Sequence, residues 1–354
     1  LYFRLSQGVK IMEIGIVGLP QSGKSTLFEI MTGAASRDIH NEPCLRGQAT
    51  VPDERLEHLS GIYKPQKTTP AKIPFVDVNA RGEKAWEAIR QSLSGAEGLL
   101  HVIDGFTAPD VPSCISQYQK LEEELILSDL MVVENRLQRL AKTTKNALKP
   151  LDIQQAQILP RVKDHLEAGR PIRALNLTAE EAFALKSFSF WTIKPELVVI
   201  NEGEEERTLT GAFREAAQLK SPVIGLCCQI EAELAGLKPE EQKEFLASLG
   251  IDEPAFGRVI RAAFSLLGRI SFFTVGDDEV KAWVIPEGTK APKAASAIHK
   301  DFERGFIKAE VASYSDFLSF GDSMNGVKAA GKLRLEGKDY IVLDGDIITF
   351  RFNV

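Results

Sequence analysis

Short apolar runs recur along the first two thirds of the chain, and polar stretches with helical periodicity separate most of them. Short continuous apolar runs between amphipathic helices are typical of buried strands in a parallel sheet covered by helices. The five runs span residues 14–17, 73–78, 99–103, 197–200 and 223–227. We therefore predict an α/β domain built on a parallel sheet.

A different pattern interrupts this series between the third and fourth runs. Apolar residues follow a 4-3-4-3 spacing, which is the seam of a helix that packs against another helix. They are Ile126, Leu130, Val133, Leu137 and Leu140, and Leu159, Val162 and Leu166 extend the theme after Pro150. We predict an antiparallel helical hairpin inserted into the α/β domain. The alternative is that these helices simply pack on the sheet.

The carboxyl-terminal segment returns to strand-like runs, now with turn signals between them. The runs span residues 271–275, 282–285, 333–335, 340–343 and 347–352, with one amphipathic helix at about 294–304. Two strands, a helix and further strands in so short a segment predict a small β-grasp domain.

These patterns divide the chain into successive segments. Residues 1–11, which precede Met12, are interpreted as a leader or as residues foreign to the natural protein. The others are the first part of the α/β domain (12–117), the helical insertion (118–186), the second part of the α/β domain (187–268) and the β-grasp domain (269–354).

The first apolar run leads directly into a glycine-rich loop that matches the pattern G-x-x-x-x-G-K-[ST]. The loop reads Gly18-Leu19-Pro20-Gln21-Ser22-Gly23-Lys24-Ser25-Thr26. A strand before such a loop and a helix after it are the context of a P-loop, whose amides surround the phosphates of a nucleotide. We expect phosphate contacts from Gly18, Gln21, Ser22, Gly23, Lys24, Ser25 and Thr26. Lys24 would reach the β- and γ-phosphates, and Ser25 would hold Mg²⁺.

The ends of later strands carry the other candidate residues. Asp77 ends the second run and is expected to hold Mg²⁺ together with Ser25. Asn201 and Glu204 follow the fourth run, where guanine-binding proteins carry N-K-x-D. Because Glu is one methylene longer than Asp, we expect weakened guanine specificity and acceptance of adenine.

Cys227 and Cys228 follow the fifth run, at the position expected to lie behind the base. The chain has four cysteines, with no C-x-x-C pair that would indicate a zinc site, and we expect reduced thiols in a cytoplasmic protein. Plain core packing is the alternative role for this pair.

Charge and hydropathy exclude some classes of protein. The net charge of −6 argues against a DNA-binding protein, and any RNA contact would have to be local. Acidic and basic residues are nearly balanced in 269–354. No apolar stretch reaches the ~18 residues of a membrane-spanning helix, so we expect no membrane partner.

The motifs together resemble the YchF family of Obg-like ATPases. The similarity rests on G-L-P-x-x-G-K-S-T, V-P-D-x-R-L, E-L-I-L-S-D-L, I-E-A-E-L and F-F-T-V-G, and on the long blocks H-K-D-F-E-R-G-F and G-K-L-R-L-E-G-K-D-Y. It implies a P-loop NTPase domain, an inserted helical domain and a carboxyl-terminal TGS domain. It also implies binding of ATP, or GTP, with Mg²⁺, slow hydrolysis, and association with the ribosome or with translation factors and stress pathways.

The chain departs from the family pattern around the expected γ-phosphate position. Gln21 and Ser22 replace an Asn and a Val, the segment 40–45 lacks the usual Thr, and Ala80 stands where a Gly is usual. These departures leave two alternatives, a slow ATPase or GTPase and an interaction protein that uses the nucleotide only as a structural ligand. A small-molecule kinase is disfavoured because no segment resembles an acceptor-binding lid.

Overall fold

A computed structural model describes residues 13–34, 44–78, 85–107, 109–144, 147–204, 208–248, 251 and 253–353. The chain forms two compact units, each assembled from two stretches of sequence. The first unit comprises residues up to 47 together with 74–259, and the second comprises 48–73 together with 260–354. No helix in the part of the chain that the structure describes is long and apolar enough to cross a membrane.

Strands and helices are numbered along the chain. The strands are β1 (Glu13–Val17), β2 (Cys44–Thr50), β3 (Lys67–Thr69), β4 (Lys72–Val78), β5 (Ala96–Gly105), β6 (Glu196–Glu202), β7 (Val223–Leu226), β8 (Arg269–Thr274), β9 (Glu279–Pro286), β10 (Phe306–Ser313), β11 (Arg334–Glu336) and β12 (Asp346–Phe352). The helices are α1 (Lys24–Thr32), α2 (Glu54–Tyr63), α3 (Ala85–Ser92), α4 (Val111–Lys142), α5 (Pro150–Glu167), α6 (Ala179–Leu185), α7 (Leu209–Ala217), α8 (Cys228–Gly236), α9 (Pro239–Ser248), α10 (Ala255–Leu266), α11 (Ala291–Ile298), α12 (Lys300–Arg304), α13 (Tyr314–Ser319) and α14 (Met324–Ala329).

The first of two six-stranded sheets has the strand order β2-β4-β1-β5-β6-β7. The pairs β1/β4, β1/β5, β5/β6 and β6/β7 are parallel, and the predicted α/β class with a parallel sheet is confirmed. All five predicted apolar runs lie in this sheet. The sequence pattern missed the edge strand β2, because its residues alternate between buried and exposed positions and include Arg46 and Gln48.

The long helix α4 belongs to two different cores. Its amino-terminal half packs on the sheet through Cys114, Leu121 and Leu125. Its carboxyl-terminal half packs against α5 and buries the predicted seam residues, including Val133 and Leu159. Packing on the sheet and packing in a helical hairpin, the two alternatives from the sequence, therefore each describe half of this helix. The helix begins at Val111, before the boundary expected at 118.

A buried polar network joins α4 to the sheet and to the turn that follows α5. Glu196 on β6 accepts from the Tyr118 hydroxyl (3.1 Å) and pairs with His101 Nδ1 (3.0 Å). The Arg173 guanidinium contacts the Glu122 carboxylate and lies 2.9 Å from Glu196 Oε2. Since buried charges are costly without partners, this arrangement requires α4 and the 3₁₀ turn at Arg173 to keep their places on the sheet.

The second unit contains a mixed sheet with the order β11-β10-β12-β8-β9-β3. Its central strands β8 and β12 are parallel, whereas β8/β9, β10/β12 and β10/β11 are antiparallel. Helix α11 covers one face through Ala291, Ala294 and Ala295, which are buried with Phe272. This is the predicted β-grasp arrangement, with one further strand, β3, at its edge.

The strand β3 and helix α2 come from residues that the sequence pattern assigned to the α/β domain. β3 pairs with β9, and Arg55 on α2 donates to Asp344 Oδ2 at 2.7 Å. The Tyr314 hydroxyl lies 2.9 Å from His58 Nδ1. These contacts place residues 48–73 in the second unit, so its boundary differs from the predicted 269–354.

Two carboxyl-terminal elements also differ from expectation. Residues 340–343 make only an isolated bridge, between Ile341 and Lys290, whereas β10 carries the long pairing with β12. The predicted helix at 294–304 is two helices, since His299 has extended backbone and its side chain caps α12.

Candidate nucleotide-binding site

The loop after β1 has a backbone that only glycine fits at two positions. A Cβ on Gly18 would collide with the Val102 carbonyl oxygen, and a Cβ on Gly23 would collide with the Asn201 amide. Gly23 also has φ 94°, a left-handed conformation that costs glycine little. The loop therefore closes tightly onto the sheet and delivers the chain to the amino terminus of α1, where partial positive charge favours anions.

Lys24 is the first residue of α1 and curls back over the loop. Its Nζ donates to the Leu19 carbonyl oxygen at 2.7 Å. Burial lowers the pKa of Lys24, although the nearby Asp77 carboxylate opposes the shift. The ammonium is thus poorly solvated by water and would gain from a polyanion at the loop.

Ser25 and Asp77 meet as predicted for a magnesium site. Ser25 Oγ donates to Asp77 Oδ2 at 2.7 Å, and the Asp77 side chain is almost fully buried. Burial raises the pKa of Asp77, and Asp77 Oδ1 has no hydrogen-bond partner among the described residues. A hydroxyl and a carboxylate with a spare oxygen are donors that suit Mg²⁺, which keeps most of its waters.

Gln21 and Ser22 occupy the top of the loop in contrasting ways. Gln21 is exposed and has φ 66°, which is uncommon for a residue with a Cβ. Ser22 is fully buried, and its Oγ has no hydrogen-bond partner in the described part of the chain. The Ser22 side chain therefore faces the protein, whereas Gln21 remains available to a ligand.

Asn201 ties the loop to the segment after β7. Its Nδ2 donates to the Ser22 carbonyl oxygen (3.2 Å), and its Oδ1 accepts from the Cys228 amide (2.9 Å). Its side chain lies between these two segments and is 5% exposed. The geometry thus gives Asn201 a positioning role beside the predicted contact with the base.

The other predicted base-side residues surround the same opening. Glu204 is exposed, Cys227 is half-buried, and burial raises the pKa of Cys228 to about 12. Between Asn201 and Glu204, Glu202 accepts from the amide and hydroxyl of Thr210, at 2.7 and 2.6 Å. Glu202 therefore fixes the start of α7, whereas Glu204 lies exposed at the rim of the opening.

A cavity of about 1210 Å³ connects the phosphate loop to these base-side residues. Its wall contains every predicted site residue except the buried Ser22 and Asp77. Sequence reasoning missed several further residues of the wall, among them Phe106, Lys120, Glu123 and Glu124.

Phe106 is the most informative of the missed residues. It follows β5 in a turn held by Asp104, whose Oδ1 accepts from the amides of Phe106 (3.0 Å) and Thr107 (2.9 Å). Its ring is 47% exposed and lines the cavity, where a flat ligand could stack on it. Its position just after a strand of the parallel sheet was the signal in the sequence, because ligands bind at that edge.

Several predicted features lie outside the described residues. These are the leader 1–11, the histidine-containing part of the first switch at 40–43, and Asn79 to Gly82 of the second switch. The structure therefore describes the loop, the end of β4 and the base side of the site.

A glycine-rich loop between β1 and α1, with its lysine, its serine and a facing aspartate on β4, defines a P-loop protein of the α/β class. Comparison with known proteins narrows this class. A family model of the YchF GTPase carboxyl-terminal region, described as "Protein of unknown function (DUF933)", matches residues 269–353.

Relatives match along nearly the whole chain. The ribosome-binding ATPase YchF of Haemophilus influenzae is 40% identical over 360 residues, covering 96% of this chain and 99% of the relative. That of Bacillus subtilis is 37% identical over 363 residues, with the same coverage. The solved structure of the Schizosaccharomyces pombe YchF GTPase matches with a TM-score of 0.84 at 26% identity, covering 98% of this chain and 99% of that one. The chain belongs to the YchF family, as its motifs predicted.

Proposed function

We propose that this protein binds ATP with Mg²⁺ and hydrolyses it slowly, in association with the ribosome in the cytoplasm. The observation that carries the proposal is one continuous cavity with the phosphate loop at one end and Phe106, Asn201 and Glu204 at the other. Its volume of about 1210 Å³ accommodates a nucleotide.

Each residue at the phosphate end would contact a different part of a triphosphate and its metal ion. Lys24 would exchange the Leu19 carbonyl for the β- and γ-phosphates, with a gain because its charge is already poorly solvated. Ser25 and Asp77 would hold Mg²⁺, which when bound neutralises charge developing on the phosphates during transfer. Phosphate-loop amides and the start of α1 would bind the remaining oxygens.

The base end supports adenine at least as well as guanine. Glu204 lies on the rim at the position of the Asp in the N-K-x-D pattern, and its longer side chain changes the distance to a guanine edge. A site that is not built to hydrogen-bond one base edge discriminates weakly against other bases. Phe106 would cover the face of either purine, with Cys227 and Cys228 at the far wall.

The ribosomal association is supported by the names of the bacterial relatives, which are ribosome-binding ATPases. The β-grasp arrangement of the second unit supports its assignment as a TGS domain. The alternative is an interaction protein that keeps the nucleotide without hydrolysing it. The departure from the family pattern at Ala80, which stands where a Gly is usual, favours that alternative.

Binding and turnover can be tested separately. We expect purine nucleotide to be released when the purified protein is denatured, and ATP to bind with an affinity equal to or above that of GTP in calorimetric competition. Lys24→Ala should weaken ATP binding by about 1.5 to 3 kcal/mol and ADP binding by less, since the lysine serves the γ-phosphate as well. Lys142→Ala, at the exposed end of α4, is the matched control.

Phosphate release and co-sedimentation with ribosomes complete the test. Slow ATP turnover by the wild type, absent in Lys24→Ala, would support the ATPase. ATP binding without turnover, with or without ribosomes, would favour the structural-ligand alternative. Failure to bind any purine nucleotide would overturn both.

A further inference from the structure

Gln21 is the third residue of a tight turn that the Ser22 amide closes on the Leu19 carbonyl oxygen (3.4 Å), and the residue lines the cavity. Its φ of 66° lies in the left-handed region, where glycine is favoured and a long side chain is not. The side chain is exposed and forms none of the hydrogen bonds found among the described residues, although a carboxamide carries two donors and an acceptor. A carboxamide that the turn holds on the cavity wall, without a partner in the described chain, is available to a ligand.

The position of Gln21 restricts what that ligand contact can be. Gln21 lines the cavity in the phosphate loop itself, three residues before Lys24. It is the single carboxamide residue between Gly18 and Thr26. Asn201, by contrast, uses both ends of its amide to join the loop to the β7–α8 segment.

ATP hydrolysis needs a side chain that orients the attacking water. The Gln or His that usually does this in the second switch is missing from the sequence. Neither Gln nor His occurs between Asp77 and Lys84. The cavity wall has four carboxylates: Glu202 is occupied by Thr210, Glu204 lies on the base side, and Glu123 and Glu124 belong to α4. A neutral amide beside the γ-phosphate is also better suited than a carboxylate, which would repel the phosphate oxygens.

We propose that Gln21 is a catalytic residue that orients the attacking water, an inference that rests on the proposed ATPase function. Gln21 Oε1 accepts a hydrogen bond from the water, and Nε2 donates to a γ-phosphate oxygen. The water oxygen forms a bond to the γ-phosphorus while the bond from phosphorus to the β,γ-bridging oxygen breaks. The water's proton passes to the released phosphate, the bridging oxygen keeps the bonding electrons as part of ADP, and Gln21 stays neutral throughout.

Gln21→Gly removes the side chain and leaves the loop backbone in place, because glycine adopts the left-handed conformation without strain. We expect single-turnover ATP hydrolysis to fall by about 10²-fold, as for other single donors to a transition state. ADP affinity should stay within about threefold of wild type, and the thermal unfolding midpoint should not fall. Gln21→Asn, which keeps the amide one methylene shorter, should retain an intermediate rate.

A second variant gives a readout that does not depend on turnover. Gln21→Glu has nearly the same shape as the wild type but places a negative charge where the γ-phosphate would lie. We expect it to weaken binding of a non-hydrolysable ATP analogue by about tenfold or more, with ADP affinity nearly unchanged.

The outcomes distinguish this proposal from the proposed function. If the wild type does not bind ATP, or binds it without hydrolysing it, both the proposed ATPase function and the role of Gln21 are overturned. A wild type that hydrolyses ATP, together with Gln21→Gly at an equal rate, overturns the role of Gln21 alone. Equal loss of analogue and ADP affinity in Gln21→Glu also overturns it, since the side chain would then not lie beside the γ-phosphate.

Discussion

Two aspartates of the first unit, Asp129 on α4 and Asp77 on β4, are equally buried but differently partnered. Each side chain is about 1% exposed. Asp129 accepts from the Trp191 amide (2.9 Å) and from the amide and hydroxyl of Thr192 (2.8 and 2.7 Å). Asp77 accepts from Ser25 Oγ, and its Oδ1 has no hydrogen-bond partner among the described residues.

The difference lies in how much of the hydrogen bonding that a buried carboxylate needs is supplied by the protein itself. At Asp129 the protein supplies the hydrogen bonds that a buried carboxylate needs, and the result is a fixed joint between α4 and the segment before β6. At Asp77 the Val78 amide favours the charged carboxylate, but Oδ1 has no hydrogen-bond partner within the described residues, and such an unpaired buried oxygen is costly. A bound cation or its water would remove that cost, which is why we place Mg²⁺ there.

Removal of the Asp129 side chain should strongly destabilise the fold. Asp129→Ala leaves three buried donors without an acceptor, and each such loss costs about 1 to 3 kcal/mol. We expect the free energy of unfolding to fall by about 3 to 5 kcal/mol in denaturant titrations. Asp77→Ala should cost less than about 1 kcal/mol by the same measurement, because Ser25 remains half-exposed and can bond water. Equal losses of unfolding free energy in the two variants would contradict the difference between the two aspartates.

The next effect concerns ligand binding, at Asp77. Asp77→Asn should reduce Mg²⁺-dependent ATP affinity on the order of 10²-fold, because a charged oxygen donor to the metal is lost. Affinity measured in excess chelator should change little, since the contact acts through the cation. A similar loss with and without Mg²⁺ would show that Asp77 supports the loop and not the metal.

The free energy of unfolding should also depend on pH, through the titration of Asp129. Burial raises the pKa of Asp129 to about 6, even though three hydrogen bonds favour its charged form. The folded protein therefore holds this proton more tightly than the unfolded chain, whose Asp has a pKa of about 3.9. Stability from this group is complete below about pH 4 and is lost as the pH rises to about 6, by roughly 2 to 3 kcal/mol.

Two measurements check this sign. The carboxyl carbon shift of Asp129 should titrate with a midpoint near the raised pKa, and Asp129→Asn should lack this part of the slope of unfolding free energy against pH. A midpoint below that of a free aspartate would mean that the three donors outweigh burial.

A small gain in stability is expected inside the phosphate loop, at Ser22. Ser22 buries a hydroxyl without a partner in the described chain, as Asp77 buries an oxygen. Ser22→Val should raise the free energy of unfolding by about 1 kcal/mol, by removing that unpaired group. ATP affinity should stay the same, because the side chain faces the protein. Weaker ATP binding in this variant would instead give the hydroxyl a role in the site.

The sequence predicted the features that depend on neighbouring residues. The loop from Gly18 to Thr26 was recognisable because strand, glycines, lysine and helix follow one another directly. Asp77 was placed correctly beside Ser25 because adjacent parallel strands end at the same edge of the sheet. The heptad spacing on α4 likewise predicted its packing against α5.

Features that depend on distant residues were missed. Phe106 enters the cavity because Asp104 shapes its turn, and no periodicity reports such a contact. The place of residues 48–73 depends on pairs such as Thr69 with Glu279, which no local pattern connects. Strand β10 was missed because buried and exposed residues do not alternate regularly along it.

The incorporation of β3 into the second unit has a consequence for synthesis. Thr69 and its partner Glu279 are 210 residues apart. At about 5 to 20 residues per second, the ribosome completes the sequence of β3 roughly 10 to 40 s before that of β9. During this interval the strand and the apolar side of α2, Leu56 and Leu59, lack their final partners. β3 has three residues, Lys-Thr-Thr, and a short, polar, lysine-containing strand is poorly suited to pair with other chains during that wait.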